Sequence, residues 1–146
     1  PSAQILIAGV LVSAATGFFS GRFFIHKKAF YLWGSRLIQL LKYCFYIFPQ
    51  ELWKANVDVA KRALSKDLPV NPGIVKVPVN LKGDYAQAML ADSITLTPGT
   101  ITMDIVEQEG QIYYYVHWIN VETEDPVEAG EMIKGTLEEW TGRIWE

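Results

Sequence analysis

Apolar residues dominate the first third of the chain and then give way to shorter, regularly spaced clusters. From Ile5 to Gly21 no residue carries a charge, and Arg22 with Phe23-Phe24-Ile25 extends the stretch to 21 residues. As a helix that is about 31 Å, enough to cross a hydrocarbon core of about 30 Å with Arg22 snorkelling to its boundary. The pattern predicts a spanning helix over 5–25. A cleaved secretory signal would need a basic leader, and Pro1-Ser2-Ala3-Gln4 supplies none. Gly17 and Gly21 have the small-xxx-small spacing of close helix contacts.

A second apolar helix is expected over 29–50, of a different kind. Its polar residues Arg36, Gln39 and Lys42 fall within an arc of about 120° at helical spacing, a single stripe on an otherwise apolar rod. A basic residue near a bilayer centre costs roughly 2.5–3.5 kcal/mol. The stripe therefore either snorkels at an interface or faces neighbouring subunits. Pro49 lacks an N–H and clashes with the preceding turn, so an interruption or kink is expected there. Beyond it, Trp53, Val57, Ala60 and Leu64 mark an amphipathic helix over 51–66. Trp53 suits an aromatic belt, Lys61, Arg62 and Lys66 suit anionic head groups, and Asp58 with Arg62 forms an i,i+4 pair.

From Asp67 the pattern changes. Asp67 to Gly73, with two prolines and a glycine, reads as a turn. Ile74 to Leu81 reads as a strand that Pro78 confines to an edge. Asp84 is the expected N-cap of a helix over Tyr85–Ile94. Thr95 to Thr100 forms a turn, Ile101, Met103 and Ile105 alternate as a strand, and Gln108-Glu109-Gly110 closes a hairpin. In the return strand Ile112, Tyr114, Val116 and Trp118 face the core, opposite Tyr113, Tyr115 and His117. A last helix starts at Pro126, capped by Asp125 with Glu128 as its capping-box partner. The fold class is thus a membrane protein. Its α-helical N-terminal membrane segments (residues 1–66) are followed by a small α+β domain (residues 67–146) of order βαββα, with both helices on one sheet face.

Charge sharpens the division. Residues 1–66 carry nine basic and two acidic residues, and residues 67–146 four basic and fourteen acidic ones. A basic apolar half joined to an acidic polar half suits a membrane anchor with a water-facing domain, and the acidic half would repel nucleic-acid phosphates. Its acids Glu122, Glu124, Asp125, Glu128, Glu131, Glu138 and Glu139 read as solvation. Charge counting leaves the topology open: His26-Lys27-Lys28 and Lys54 to Lys66 flank the second segment on both sides.

No constellation for catalysis, cofactor binding or metal binding emerges, so the site expectation is none in each class and the chain is not read as an enzyme. A single cysteine, Cys44, excludes an intrachain disulfide and multi-cysteine metal sites, and its apolar neighbours suggest a buried thiol. His117 reads as a surface or packing histidine. Asp84, Asp92 and Asp104 have no ligand spacing. Thr95-Leu-Thr-Pro-Gly-Thr100 offers hydroxyls and a glycine turn for an anion, although a structural turn is the simpler reading. Neither apolar segment holds an acid, the usual mark of an ion path.

Three motifs carry a resemblance. Lys54-Ala-Asn-Val-Asp-Val-Ala-Lys61, Asn71-Pro-Gly-Ile-Val-Lys-Val-Pro78 and Leu90-Ala-Asp-Ser-Ile-Thr-Leu-Thr-Pro-Gly-Thr100 occur in this order. They resemble the E subunit of multisubunit Mrp-type sodium/proton antiporters. Related subunits occur in respiratory membrane complexes with an antiporter module, such as membrane-bound hydrogenases. Tyr113-Tyr-Tyr-Val-His-Trp118 is similar to the family's strand before its C-terminal helix. The resemblance implies a cell-membrane protein with a cytoplasmic C-terminal domain. It also implies sister membrane subunits as partners, no cofactor, and an accessory role in assembly, conduction lying mainly with larger subunits. A stand-alone membrane-tethered module that recruits a soluble partner is the alternative. Family members often carry a further hydrophobic stretch at the N-terminus, and this chain begins at Pro1, which leaves the number of spanning helices open.

Overall fold

The computed structural model describes residues 3–24 and 34–146, the side chains of the first segment over residues 4–20. The surroundings of Gly21, the Arg22 side chain, the His26-Lys27-Lys28 flank and the first residues of the expected 29–50 helix lie outside that set. The chain divides between Trp33 and Gly34 into two compact units.

The first unit holds α1 (Ala3–Phe24), a helix of 22 residues. Ile5, Leu11 and Phe18 are exposed on it, and Thr16 Oγ1 donates to the Val12 carbonyl at 2.8 Å. Among the described residues no helix is long and apolar enough to cross a membrane.

The second unit opens with one continuous helical run: α2 (Ser35–Lys42), a π turn over Tyr43–Ile47, and α3 (Phe48–Leu64). Pro49 does not interrupt it. In an uninterrupted α-helix the proline would leave the Phe45 carbonyl without a donor and press its ring on that carbonyl. The π turn immediately before it relieves both, and the Phe48 N–H reaches back five residues to the Tyr43 carbonyl.

The α+β part follows the expected order: β1 (Gly73–Val79), α4 (Asp84–Leu96), β2 (Thr100–Gln108), β3 (Gln111–Trp118) and α5 (Pro126–Trp145). The strands form an antiparallel sheet in the order β1-β3-β2. β1 is an edge, where Pro78 loses no ladder bond that the fold needs. Glu109 and Gly110, with φ of 54° and 80°, close the β2–β3 hairpin as a two-residue turn. A bulge between Thr102 and Asp104 shifts the β2 register.

Val75, Val77, Val79, Tyr114 and Val116 point to one face and are buried there. α5 packs over β1, α4 over β2, and the two helices touch each other. Ala86, Leu90 and Ile94 recur every four residues on the inner side of α4, and Ala129, Leu137 and Ile144 line that of α5. Tyr114 joins the layers, its hydroxyl donating to the Gln87 carbonyl at 2.8 Å. Residues 34–66 belong to this unit: Tyr43 is 3% exposed in the shared core, and its hydroxyl donates to Ser93 Oγ at 2.5 Å.

Two local expectations are corrected. α4 begins one residue early, with Gly83 as its cap and no capping bond from Asp84. Glu146 instead fixes the approach to the helix, its Oε1 accepting from the N–H groups of Lys82 and Gly83, just before the first turn, at 2.6 and 3.2 Å. At α5 the Asp125 cap is as expected, its Oδ1 accepting from Val127 and Glu128 N–H groups at 3.0 and 2.9 Å. The reciprocal half of the box is missing, because Glu128 accepts instead from Thr123 Oγ1 at 2.7 Å.

Candidate functional site

The three sequence motifs come together at one end of the sheet, around the segment Ile119–Glu122. The second motif binds one side of it. The Asn71 N–H donates to the Ile119 carbonyl at 3.2 Å, and the Asn71 carbonyl accepts from the Val121 N–H at 2.8 Å. Asn71 Nδ2 adds a bond to the Val121 carbonyl at 3.1 Å. A Cβ on Gly73 would stand 2.9 Å from Val121 Cγ2, so side-chain-free backbone is what lets the strand begin this close.

The third motif binds the other side. The Ile119 N–H donates to the Gly99 carbonyl at 2.8 Å. Gly99 has φ +93°, and a Cβ there would lie 2.9 Å from Ile119 Cγ2 and 3.3 Å from Val59 Cγ2. Both the conformation and the space demand glycine. Val59 belongs to the first motif, so α3 seats directly on this turn. Arg62, one residue beyond that motif, closes the ring. Its guanidinium donates to Asp58 at 2.8 Å, to the Pro69 carbonyl at 3.2 Å and to Glu122 at 3.2 Å. The hydrogen bond to Asp58 first, and Glu122 after it, raise its pKa above the usual value.

The threonines of the third motif are consumed locally. Thr97 and Thr100 hydroxyls each donate to the Ile94 carbonyl at 2.7 Å, and Thr95 Oγ1 donates to the Ala91 carbonyl at 2.9 Å. The two hydroxyls on Ile94 join the Thr97 N–H, which reaches the same carbonyl at 3.3 Å, in closing the last turn of α4. The turn is therefore structural, and its hydroxyls do not form an anion cradle.

A cleft of about 320 Å³ opens between α3, this turn, Trp118 and α5. Its charged lining is largely paired: Lys54 with Glu51 at 2.7 Å, Asp58 with Arg62, and Lys134 with Glu138. Lys134 is 4% exposed, and the other oxygen of Glu138 accepts from the Asn80 N–H at 2.6 Å. Glu138 thus holds a buried cation and is not part of the solvating acidic face. Burial, with the Glu138 charge second, pushes the nearby Tyr114 hydroxyl well above its ordinary range.

The polar stripe is redirected. Arg36 donates to the Trp145 and Glu146 carbonyls at 3.5 and 3.2 Å, at the C-terminal end of α5. Its stripe partner Gln39 also turns inward, its Oε1 buried without a hydrogen-bond partner among the described residues. Lys42 is exposed. The arginine docking expected against neighbouring subunits is made, at Arg36, against the chain's own last helix. Orphan carbonyls and the negative end of the α5 dipole are the reason.

Cys44 is exposed rather than buried, because the inner face of the run passes through Tyr43. His117 lies on the open sheet face, between Ile74 and Ile101 of the flanking strands. Asp84 and Asp92 stand about 12 Å apart along α4, and among the described residues no group of His, Cys, Asp or Glu is placed to hold a metal ion. The convergence on 119–122 and the role of Glu146 escaped the sequence reading. The motif glycines signalled tight turns, but nothing local told which segment they would meet.

A family described as Na+/H+ ion antiporter subunit matches residues 2–144. The chain is 42% identical to the E subunit of the Na+/H+ antiporter of Bacillus subtilis over 122 residues, 84% of this chain and 73% of that protein. It is 32% identical to the E1 subunit of the Na+/H+ antiporter of Staphylococcus saprophyticus over 141 residues, 97% of this chain and 79% of that one. Among solved structures it is similar to a chain of the membrane-bound sulfane sulfur reductase, an archaeal respiratory membrane complex. That match has TM-score 0.78 and 35% identity, and covers 99% of this chain and 86% of the other.

Proposed function

The chain belongs to the family of Na+/H+ antiporter E subunits, and from that premise we propose that it is a membrane-anchored accessory component whose contribution to ion transport is architectural. Its setting is a multisubunit sodium/proton antiporter or a respiratory complex carrying that module, with sister membrane subunits as partners. In this reading the apolar segment 5–25, part of whose side chains lies outside the described residues, spans the bilayer. Residues 1–66 supply the membrane-facing part, and residues 67–146 lie on the cytoplasmic side. No catalytic step is assigned to it.

The observation that carries the proposal is where the family motifs spend their polar groups. Asn71, Thr97, Thr100 and Arg62 bond to the chain's own backbone and acids, which builds a rigid support for α3 rather than a surface that handles ions. An ion path would instead call for unpaired ionisable groups along a cavity, and those of the cleft beside α3 are largely paired.

The test is a pull-down in gentle detergent through a C-terminal tag, with every co-purifying protein identified. Large antiporter-like membrane subunits are the expected result, and redox subunits among them assign the respiratory setting. A lone chain, or soluble partners only, overturns the reading in favour of a stand-alone tethered binding module.

A further inference from the structure

The helical run 35–64 wears its apolar stripe on the outside. Leu37, Ile38, Leu41 and Phe45 of its first half are exposed, Phe45 to 79%, and so are Trp53 at 73% and Leu64 at 87% in its second half. The inward side carries Arg36, Gln39, Leu40, Tyr43 and Ile47, and later Leu52, Ala55, Val59 and Arg62.

The π turn makes the two halves of the outer stripe one. At about 100° per residue, Trp53 in an unbroken α-helix would point about 120° away from Leu41. A π turn accommodates one additional residue and rotates everything after it back by about 100°. Leu37, Leu41, Phe45, Trp53, Ala60 and Leu64 then share an arc of about 100° along a run of about 45 Å. Pro49 and the π turn are thus the device that aligns a surface.

The rim of that surface is basic. Lys42, Lys54 and Lys61 are exposed beside the stripe, while Glu51 and Asp58 are engaged by Lys54 and Arg62. Tyr46, 66% exposed, and Trp53 add the amphipathic aromatics of a membrane boundary. Seven of the sixteen acids lie on α5 and the segment before it, and of those on the run Glu51 and Asp58 are the two just named.

We infer that the outer face of residues 37–64 is a lipid-contacting surface, seated at the boundary between head groups and acyl chains of an anionic leaflet. The inference rests on the membrane-anchored reading above. An apolar stripe with a cationic rim complements a fluid anionic boundary. In this arrangement the stripe holds the α+β domain flat against the membrane, while Arg36 and Tyr43 lock the same helix to the domain's core.

The test uses the full chain in vesicles of phosphatidylcholine and phosphatidylglycerol. In a Cys44→Ser background, Leu41→Cys, Phe45→Cys and Leu64→Cys place a fluorophore along the stripe, and Glu139→Cys places it on α5. Native Cys44, labelled without any substitution, repeats the measurement at the stripe's edge. The expected result is strong quenching at 41, 45 and 64 by nitroxide lipids, with iodide quenching there several-fold weaker than at 139. Equal iodide quenching at all sites overturns the inference, because the face then meets water. Shielding from both quenchers also overturns it and assigns the face to a protein partner. Co-purification of sister subunits is a separate readout, so loss of one reading leaves the other standing or falling by itself.

Discussion

α5 and the helical run 35–64 pack against each other, yet they are built in opposite senses. α5 turns Ala129, Leu137 and Ile144 inward and Glu131 and Glu139 outward, and the polar side chains it buries are bonded: Thr141 to the Leu137 carbonyl at 2.9 Å, and Lys134 to Glu138. The run 35–64 sends Arg36 and Gln39 inward and Leu41, Phe45 and Trp53 outward. Helical period is equally clear in both. It shows that a stripe exists, but what the stripe meets depends on the neighbour. α5 ends in carbonyls that need donors, and α2 supplies Arg36.

Substitutions on the two helices separate these senses. Ile144 is fully buried, and Ile144→Ala is expected to cost about 2–5 kcal/mol in urea unfolding of the detergent-solubilised chain. Arg36→Leu is expected to cost about 1 kcal/mol through the α5 C-terminus, and to loosen hydrogen-exchange protection at residues 142–146 first. An effect confined to association with other subunits would contradict the intrachain docking.

Tyr114→Phe adds a pH-dependent test. Its folded pKa lies above the ordinary 10.0, so the folded state holds this proton more tightly than the unfolded chain. The resulting stability is complete below pH 10 and falls away as pH rises beyond it. The deficit of Tyr114→Phe relative to wild type, about 1 kcal/mol at neutral pH from the lost hydrogen bond, should therefore narrow in unfolding measured above pH 10. A constant deficit would place the tyrosine proton outside the folding equilibrium. Smallest of all, Leu41→Ala should change detergent-phase stability by no more than about 0.5 kcal/mol. A loss as large as that of Ile144→Ala would mean that the outer stripe is core after all.

Much of the α+β domain was legible because its signals are local. Pro78 marked an edge strand, Glu109-Gly110 a tight hairpin, and Asp125-Pro126 a helix start, and each depends on a few adjacent residues. The failures lie where a group other than the expected one, near or distant in the chain, completes the local chemistry. Asp84 falls inside the first turn of α4 and caps nothing, while Glu146, 62 positions along the chain, holds the Lys82 and Gly83 N–H groups ahead of it. Glu128 was diverted to Thr123, and Glu138 was drawn from the surface by buried Lys134. Pro49 was tolerated because hydrogen bonds upstream changed register, an option that propensity does not see. The site shows the same division: the motifs were visible as family signatures and as turns, and their meeting around Ile119–Glu122 was not.

The sequence by itself determined the element order, the buried sheet face, the family and the contrast between a basic apolar half and an acidic polar one. These follow from periodicity, composition and short-range stereochemistry, which act over a few residues. Tertiary structure decided that two motifs clasp one segment with α3 seated beside them, that Arg36 and Gln39 of the α2 stripe turn inward, and that a π turn brings two apolar stripes into line. The first two are choices among partners far apart in the chain, whose energies exist only once those partners are in contact; the third is a change of hydrogen-bond register around Pro49.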